Sequence, residues 1–72
     1  MNDIKKFNLI LQGVLLKWDQ ISVDPEFQHI LDPDKNSMYH KFREMNLEEN
    51  DKMIKAKCMA FSMYILLTIC AT

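Results

Sequence analysis

Ile4, Phe7, Leu11, Val14, Trp18 and Ile21 follow one another at intervals of three and four residues. Such spacing returns to one side of a helix at every turn, so it predicts an amphipathic helix over about residues 3–20. Asn2 or Asp3 supplies its N-cap. Ile4, Phe7, Leu11, Val14 and Trp18 are expected to face the core. Lys5, Lys6, Asn8, Gln12, Lys17 and Asp19 fill much of the remaining circumference, Ile10 and Leu15 widen the stripe, and Leu9 and Leu16 lie off it. Gly13 stands mid-helix, where glycine costs about 1 kcal/mol against alanine. It marks either a close crossing of two backbones or a tolerated cost.

The next stretch uses one construction twice. Asp24-Pro25-Glu26 and Asp32-Pro33-Asp34 each place Asp at an N-cap, Pro at the first helical position and an acid in the first turn. The first is expected to open a short helical turn over about residues 25–31, presenting Phe27, Ile30 and Leu31. The second is expected to open a helix over about residues 33–45. Residues before proline avoid the helical region, so the chain should turn at Asp24 and Asp32.

From residue 34 onward there is neither Gly nor Pro. Met38, Phe42 and Met45 form one stripe. Asn46-Leu47-Glu48-Glu49 resembles a capping box. A last helix is therefore expected over about residues 47–70, either continuous with the previous one or separated from it by a kink or short break near residues 46–50. From Cys58 to Thr72 no residue is charged, and apolar side chains occupy every side of the helix. A helix apolar all round is enclosed by protein or by lipid. Fifteen residues span about 22 Å at helical rise, whereas a hydrocarbon core is about 30 Å thick. Enclosure by protein is the better fit, and a membrane partner is not expected.

Composition narrows the class. The chain has 72 residues, 49% of them hydrophobic, and a net charge of −1, which excludes disorder and allows one domain. A domain this small buries only about 60% of the surface of its unfolded chain, so a pocket hollowed from its core is not expected. Nine basic residues are dispersed among ten acidic ones, which lacks the dense basic face of a nucleic-acid binder. Cys58 and Cys70 are about 18 Å apart along one helix, too far for a disulfide. Buried free thiols in a reducing, cytoplasmic setting are expected. The N-terminal residues carry no signal-peptide pattern.

Sites of chemistry are not expected either. Asp32, Asp34 and Asn36 occupy the first, third and fifth positions of a calcium loop, but Ser37 stands where glycine is needed and Arg43 where glutamate is. His29, His40, Cys58 and Cys70 lack the close pairs of a zinc site. There is no glycine-rich phosphate loop and no hydrolase motif. The expectation is no enzyme, no metal and no cofactor. Methionines at 38, 45, 53, 59 and 63 suit either core packing or an adaptable interface.

The sequence thus points to a small all-α domain spanning residues 1–72, a helical hairpin or three-helix bundle. Its long apolar C-terminal helix is expected to be completed by a second copy, as a dimer, or by another protein. The expected interface residues are Phe61, Tyr64, Ile65, Leu66 and Ile69. The expected function is a non-catalytic protein-binding module, such as an adaptor, a secretion-type co-chaperone or a phage-type inhibitor. These share this size and helicity with the chain and no motif. A self-assembling filament or needle subunit, or a small membrane-associated protein anchored by residues 58–72, are the alternatives.

Overall fold

The three longest helices begin on asparagines. A computed structural model describes the backbone of residues 2–70 and the side chains of residues 2–68. Helix α1 (Asp3–Leu16) opens where the Ile4 N–H donates to Asn2 Oδ1 at 2.8 Å. After a break at Lys17, α2 (Trp18–Ile21) adds one turn. A 3-10 turn (Pro25–Phe27) and α3 (Gln28–Leu31) follow. Helix α4 (Ser37–Met45) starts on Asn36, whose Oδ1 accepts from the Met38 N–H at 2.9 Å. Helix α5 (Asp51–Cys70) starts on Asn50, whose Oδ1 accepts from the Met53 N–H at 2.8 Å. In each case the side chain satisfies a donor that the first helical turn would leave bare. The described residues are all-α, with no strand among them.

Several boundaries differ from the spacing-based expectation, each for a local reason. The first helix does not run unbroken to residue 20. Lys17 leaves helical geometry at φ −106° and ψ 18°, its N–H is shared between the Gly13 and Val14 carbonyls, and Trp18 and Ile21 are re-aimed onto the core. Asp24-Pro25-Glu26 does open a turn, with the Glu26 N–H donating to Asp24 Oδ1 at 2.9 Å. Gln28 Nε2 then ties that turn to the Ser22 and Asp24 carbonyls. Asp32-Pro33-Asp34 makes the same side-chain bond, Asp34 N–H to Asp32 Oδ1 at 3.0 Å, but closes a plain turn. Helix α4 therefore starts at Ser37, not at Pro33, because Asn36 is extended at φ −136° and also donates through Nδ2 to the Ile30 carbonyl at 2.7 Å. Asn46 ends α4, with its Nδ2 donating to the Phe42 carbonyl at 2.9 Å. No capping box forms at Asn46–Glu49, and α5 starts at Asp51 rather than at 47.

Helix α5 is the element on which the others pack: α1, α3 and α4 all lie against it. Helix α1 runs antiparallel to it, with Lys6 beside Tyr64 at one end and Trp18 beside Asp51 and Lys52 at the other. Ala56 and Ala60 sit under Val14, Leu31 and Met59 in one buried cluster, edged by Phe7, Leu11, Trp18 and Ile30. Two alanines four residues apart present one smooth side of α5 and let α1 come close. Tyr39, Ile54 and Cys58 form a second cluster, and Ile30 touches both. Two side chains expected inside are outside. Ile4 is 69% exposed and Met45 is 70% exposed. Ile4 belongs to the first turn of α1. On α4 it is Tyr39, with a polar tip that finds partners, that turns inward in place of Met45.

Two substitutions follow. Ile54 has no exposed surface, so Ile54→Ala should cost about 2–5 kcal/mol, and a thermal melt should show most of the fold's stability gone. At Gly13 a methyl group would meet no atom within 4 Å, so no backbone crosses there within the chain. Gly13→Ala should therefore stabilise the isolated protein by about 0.4–1 kcal/mol. A lowered melting temperature would place something against Gly13.

Candidate protein interface

Helix α5 is held firmly at its start. The Tyr39 hydroxyl donates to Asp51 Oδ1. Arg43 donates from Nη2 to the same hydroxyl at 3.0 Å and from Nη1 to the Glu49 carbonyl at 2.7 Å. Lys55, one turn along α5, reaches Asp51 Oδ2 at 3.0 Å, and Lys57 reaches Glu49 at 3.5 Å. The Tyr39 hydrogen bond, with Lys55 and Arg43 nearby, holds the Asp51 carboxyl below the usual aspartate range. Arg43 is pushed up by the same tyrosine and by Asp51. These groups join the α4–α5 turn to both helices.

The middle of α5 is enclosed. Ile54, Ala56, Cys58, Met59 and Ala60 are all buried, and they point to several sides of the helix. Burial pushes the Cys58 thiol up to about 11, which disfavours its thiolate.

The end of α5 is different. Ile65, Leu66, Leu67 and Thr68 are each exposed, Leu66 to 62%. Ile65 and Leu66 line an open hollow with His29, Ile30 and Asn36, so α3 and the turn before α4 lie beside this end of α5 and cover it thinly. The five residues expected at an interface divide accordingly. Phe61 is half-buried and meets Phe42 of α4 edge-on, with ring centroids 5.9 Å apart. Tyr64 is half-buried and holds the start of α1, with the Lys6 ammonium 5.8 Å from its ring centroid. Asp3, beside its hydroxyl, pushes the phenol up. Ile65 and Leu66 are exposed together, and Ile69 lies outside the described side chains. Leu67, absent from the expected interface set, is also exposed, whereas Met63 faces the α1 side beside Ile10 and Gly13.

A second apolar surface lies on α1. Leu9 and Leu16, the two leucines off the core stripe, are 62% and 88% exposed. With Gly13 between them they form an outward stripe at four-and-three spacing. Beside it runs an open trough lined by Ile10, Gly13, Val14, Lys17, Ile21 and Met63, about 220 Å³ in volume. Its signal in the sequence was the coincidence of Leu9, Gly13 and Leu16 on one side of the helix.

Other chemistry has little to work with. Among the described residues no group of three or more His, Cys, Asp and Glu side chains is close enough to hold a metal ion. Asp32 and Asn36 instead spend their oxygens on the backbone N–H groups of Asp34 and Met38. No helix of the described residues is long and apolar enough to cross a membrane.

The Asp51 network sets a pH dependence. A carboxyl held below its unfolded value contributes stability that is fully present above about pH 4 and disappears as pH falls through the lower folded value. Melting temperature should fall over that acid range in the wild type. The fall should be smaller in Asp51→Asn and in Tyr39→Phe. An unchanged acid profile in both variants would show that the network adds nothing.

Comparison of the chain with protein-family models, with curated proteins and with solved structures finds no match.

Proposed function

We propose that this chain is a non-catalytic helical binding module that uses the thinly covered end of α5 to complete its apolar surface with a protein partner. A small helical bundle, finished by that partner, is the architecture this implies. The observation that supports it is the run of exposed residues Ile65, Leu66, Leu67 and Thr68 on a segment without charge. A helix end with few tertiary contacts is marginal in water. An apolar end of this kind gains its burial from another molecule. Adaptor, co-chaperone and inhibitor roles all use such an element. A buried thiol whose pKa is raised, and open surface troughs in place of a closed pocket, fit a binding role better than catalysis.

Charge substitutions along α5 test the proposal. Phe61→Asp, which breaks the contact with Phe42, should unfold the protein. Ile65→Asp and Leu66→Asp should leave the circular dichroism spectrum helical and abolish retention of whatever the wild-type protein retains in affinity capture from its native host. Open-ended polymers of the wild type in light scattering would favour a structural subunit. Partition onto lipid vesicles, lost with Leu66→Asp, would favour a membrane role. Unchanged retention by Ile65→Asp and Leu66→Asp would refute the proposal.

A further inference from the structure

We infer that the turn between α4 and α5 is a second docking surface, and that its occupant is a basic amphipathic segment of another protein. The surface lies at the start of α5, at the opposite end of that helix from Ile65 and Leu66. The inference does not depend on the reading of that far end.

Apolar exposure in a fixed turn is the first observation. Met45 is 70% exposed and Leu47 is 77% exposed. They flank Asn46, and with Glu44, Asn46, Glu48 and Glu49 they line an open hollow of about 580 Å³. Polar bonds hold this turn in place. Asn46 Nδ2 donates to the Phe42 carbonyl at 2.9 Å, and Asn46 Oδ1 accepts from Lys57 Nζ at 3.3 Å. Arg43 Nη1 donates to the Glu49 carbonyl at 2.7 Å, and the Glu49 N–H donates to the Asn46 carbonyl at 3.0 Å. The backbone thus keeps both apolar side chains in water, and it has little ordering left to lose when a partner covers them. A methionine beside a leucine also adapts to the shape of what it meets.

Charge names the occupant. Glu44, Glu48 and Glu49 line the hollow, and none of the residues lining it is basic. The basic side chains around the turn are spent within the fold. Arg43 serves Tyr39, Asp51 and the Glu49 carbonyl, Lys55 serves Asp51, and Lys57 serves Glu49 and Asn46. Glu44 and Glu48 are exposed and form no ion pair among the described residues. A partner laid over Met45 and Leu47 therefore meets carboxylates on the rim. Lysines or arginines beside its own apolar residues complement them, and acidic residues there are repelled. A helix with basic and apolar residues at three-and-four spacing presents both on one side. Two copies of this turn set face to face would instead bring like charges together.

The probe is a labelled peptide of lysines and leucines at helical spacing, with a glutamine and leucine peptide of the same pattern as its neutral counterpart. Titrated at low salt and followed by NMR, the basic peptide should bind and shift the amides of residues 44–49. Leu47→Ser should weaken binding about tenfold. Glu44→Gln combined with Glu48→Gln should weaken it about three- to tenfold at low salt and much less at high salt. Glu26→Gln combined with Asp34→Asn removes the same charge elsewhere and should bind like the wild type, as should Leu66→Asp. All of these side chains are exposed, so every variant should keep the wild-type circular dichroism spectrum. Failure of the basic peptide to bind overturns the inference and leaves the reading of α5's far end standing. Equal binding of the neutral peptide, or equal weakening by the Glu26 and Asp34 substitutions, also overturns it, because the charges at the turn would then select nothing. Self-association of the wild type that Leu47→Ser abolishes would make the occupant a second copy and overturn it as well. Loss of binding in Leu66→Asp would move the contact to the far end of α5 and overturn the turn as its site.

Discussion

Covering α5 is the constraint on which the rest of the structure depends. The helix is twenty residues long and has no charge beyond Lys57. From Cys58 onward water is a poor environment for most of its sides. The remaining chain provides one long helix, α1, and the short helices α3 and α4 to cover it. Ala56 and Ala60 let α1 close in, and Tyr39 and Phe42 bring α4 onto another side. The middle of the helix is enclosed by this means, and the covering thins near Tyr64.

The two ends of α5 consequently have opposite character. At the start, Asp51 is tied to Tyr39, Arg43 and Lys55, so the entry of the chain into the helix is fixed by polar bonds. At the far end the last strong tie is Tyr64, which gathers Asp3 and Lys6 of α1. Beyond it Ile65 and Leu66 border the hollow beside Ile30 and Asn36, and Thr68 Oγ1 donates back to the Tyr64 carbonyl at 2.9 Å. The proposed docking role rests on this contrast between a base held by polar bonds and a thinly covered apolar end.

Much of this was legible in the sequence. The three-and-four spacing of Phe7, Leu11, Val14 and Trp18 marks the side of α1 that meets the core, and the charge-free stretch from Cys58 marks where covering becomes difficult. What the sequence hid were choices settled by tertiary contacts. Met38, Phe42 and Met45 have the right spacing for a core stripe. Which of the neighbouring residues turns inward, however, depends on Asp51 and Arg43 being placed to receive the Tyr39 hydroxyl. Asp32-Pro33-Asp34 carries the signature of a helix start. It loses to Asn36 because that amide can both cap α4 and bond the Ile30 carbonyl. The interface set drawn from α5 mixed half-buried Phe61 and the α1-bound Tyr64 with exposed Ile65 and Leu66. A helix apolar on all sides gives no phase from which to tell them apart. Leu9 and Leu16 were visible as residues off the stripe, but the open floor at Gly13 needed the fold.

Hydrogen exchange along α5 in dilute solution tests the thin covering of its end most directly. Amides of Ile54 to Ala60 should be protected at every concentration. Those of Ile65 to Thr68 should exchange much faster in dilute solution, where this end of the helix is thinly covered. Protection of residues 65–68 equal to that of 54–60 in a dilute monomer would contradict it, because the chain would then be covering its own tail.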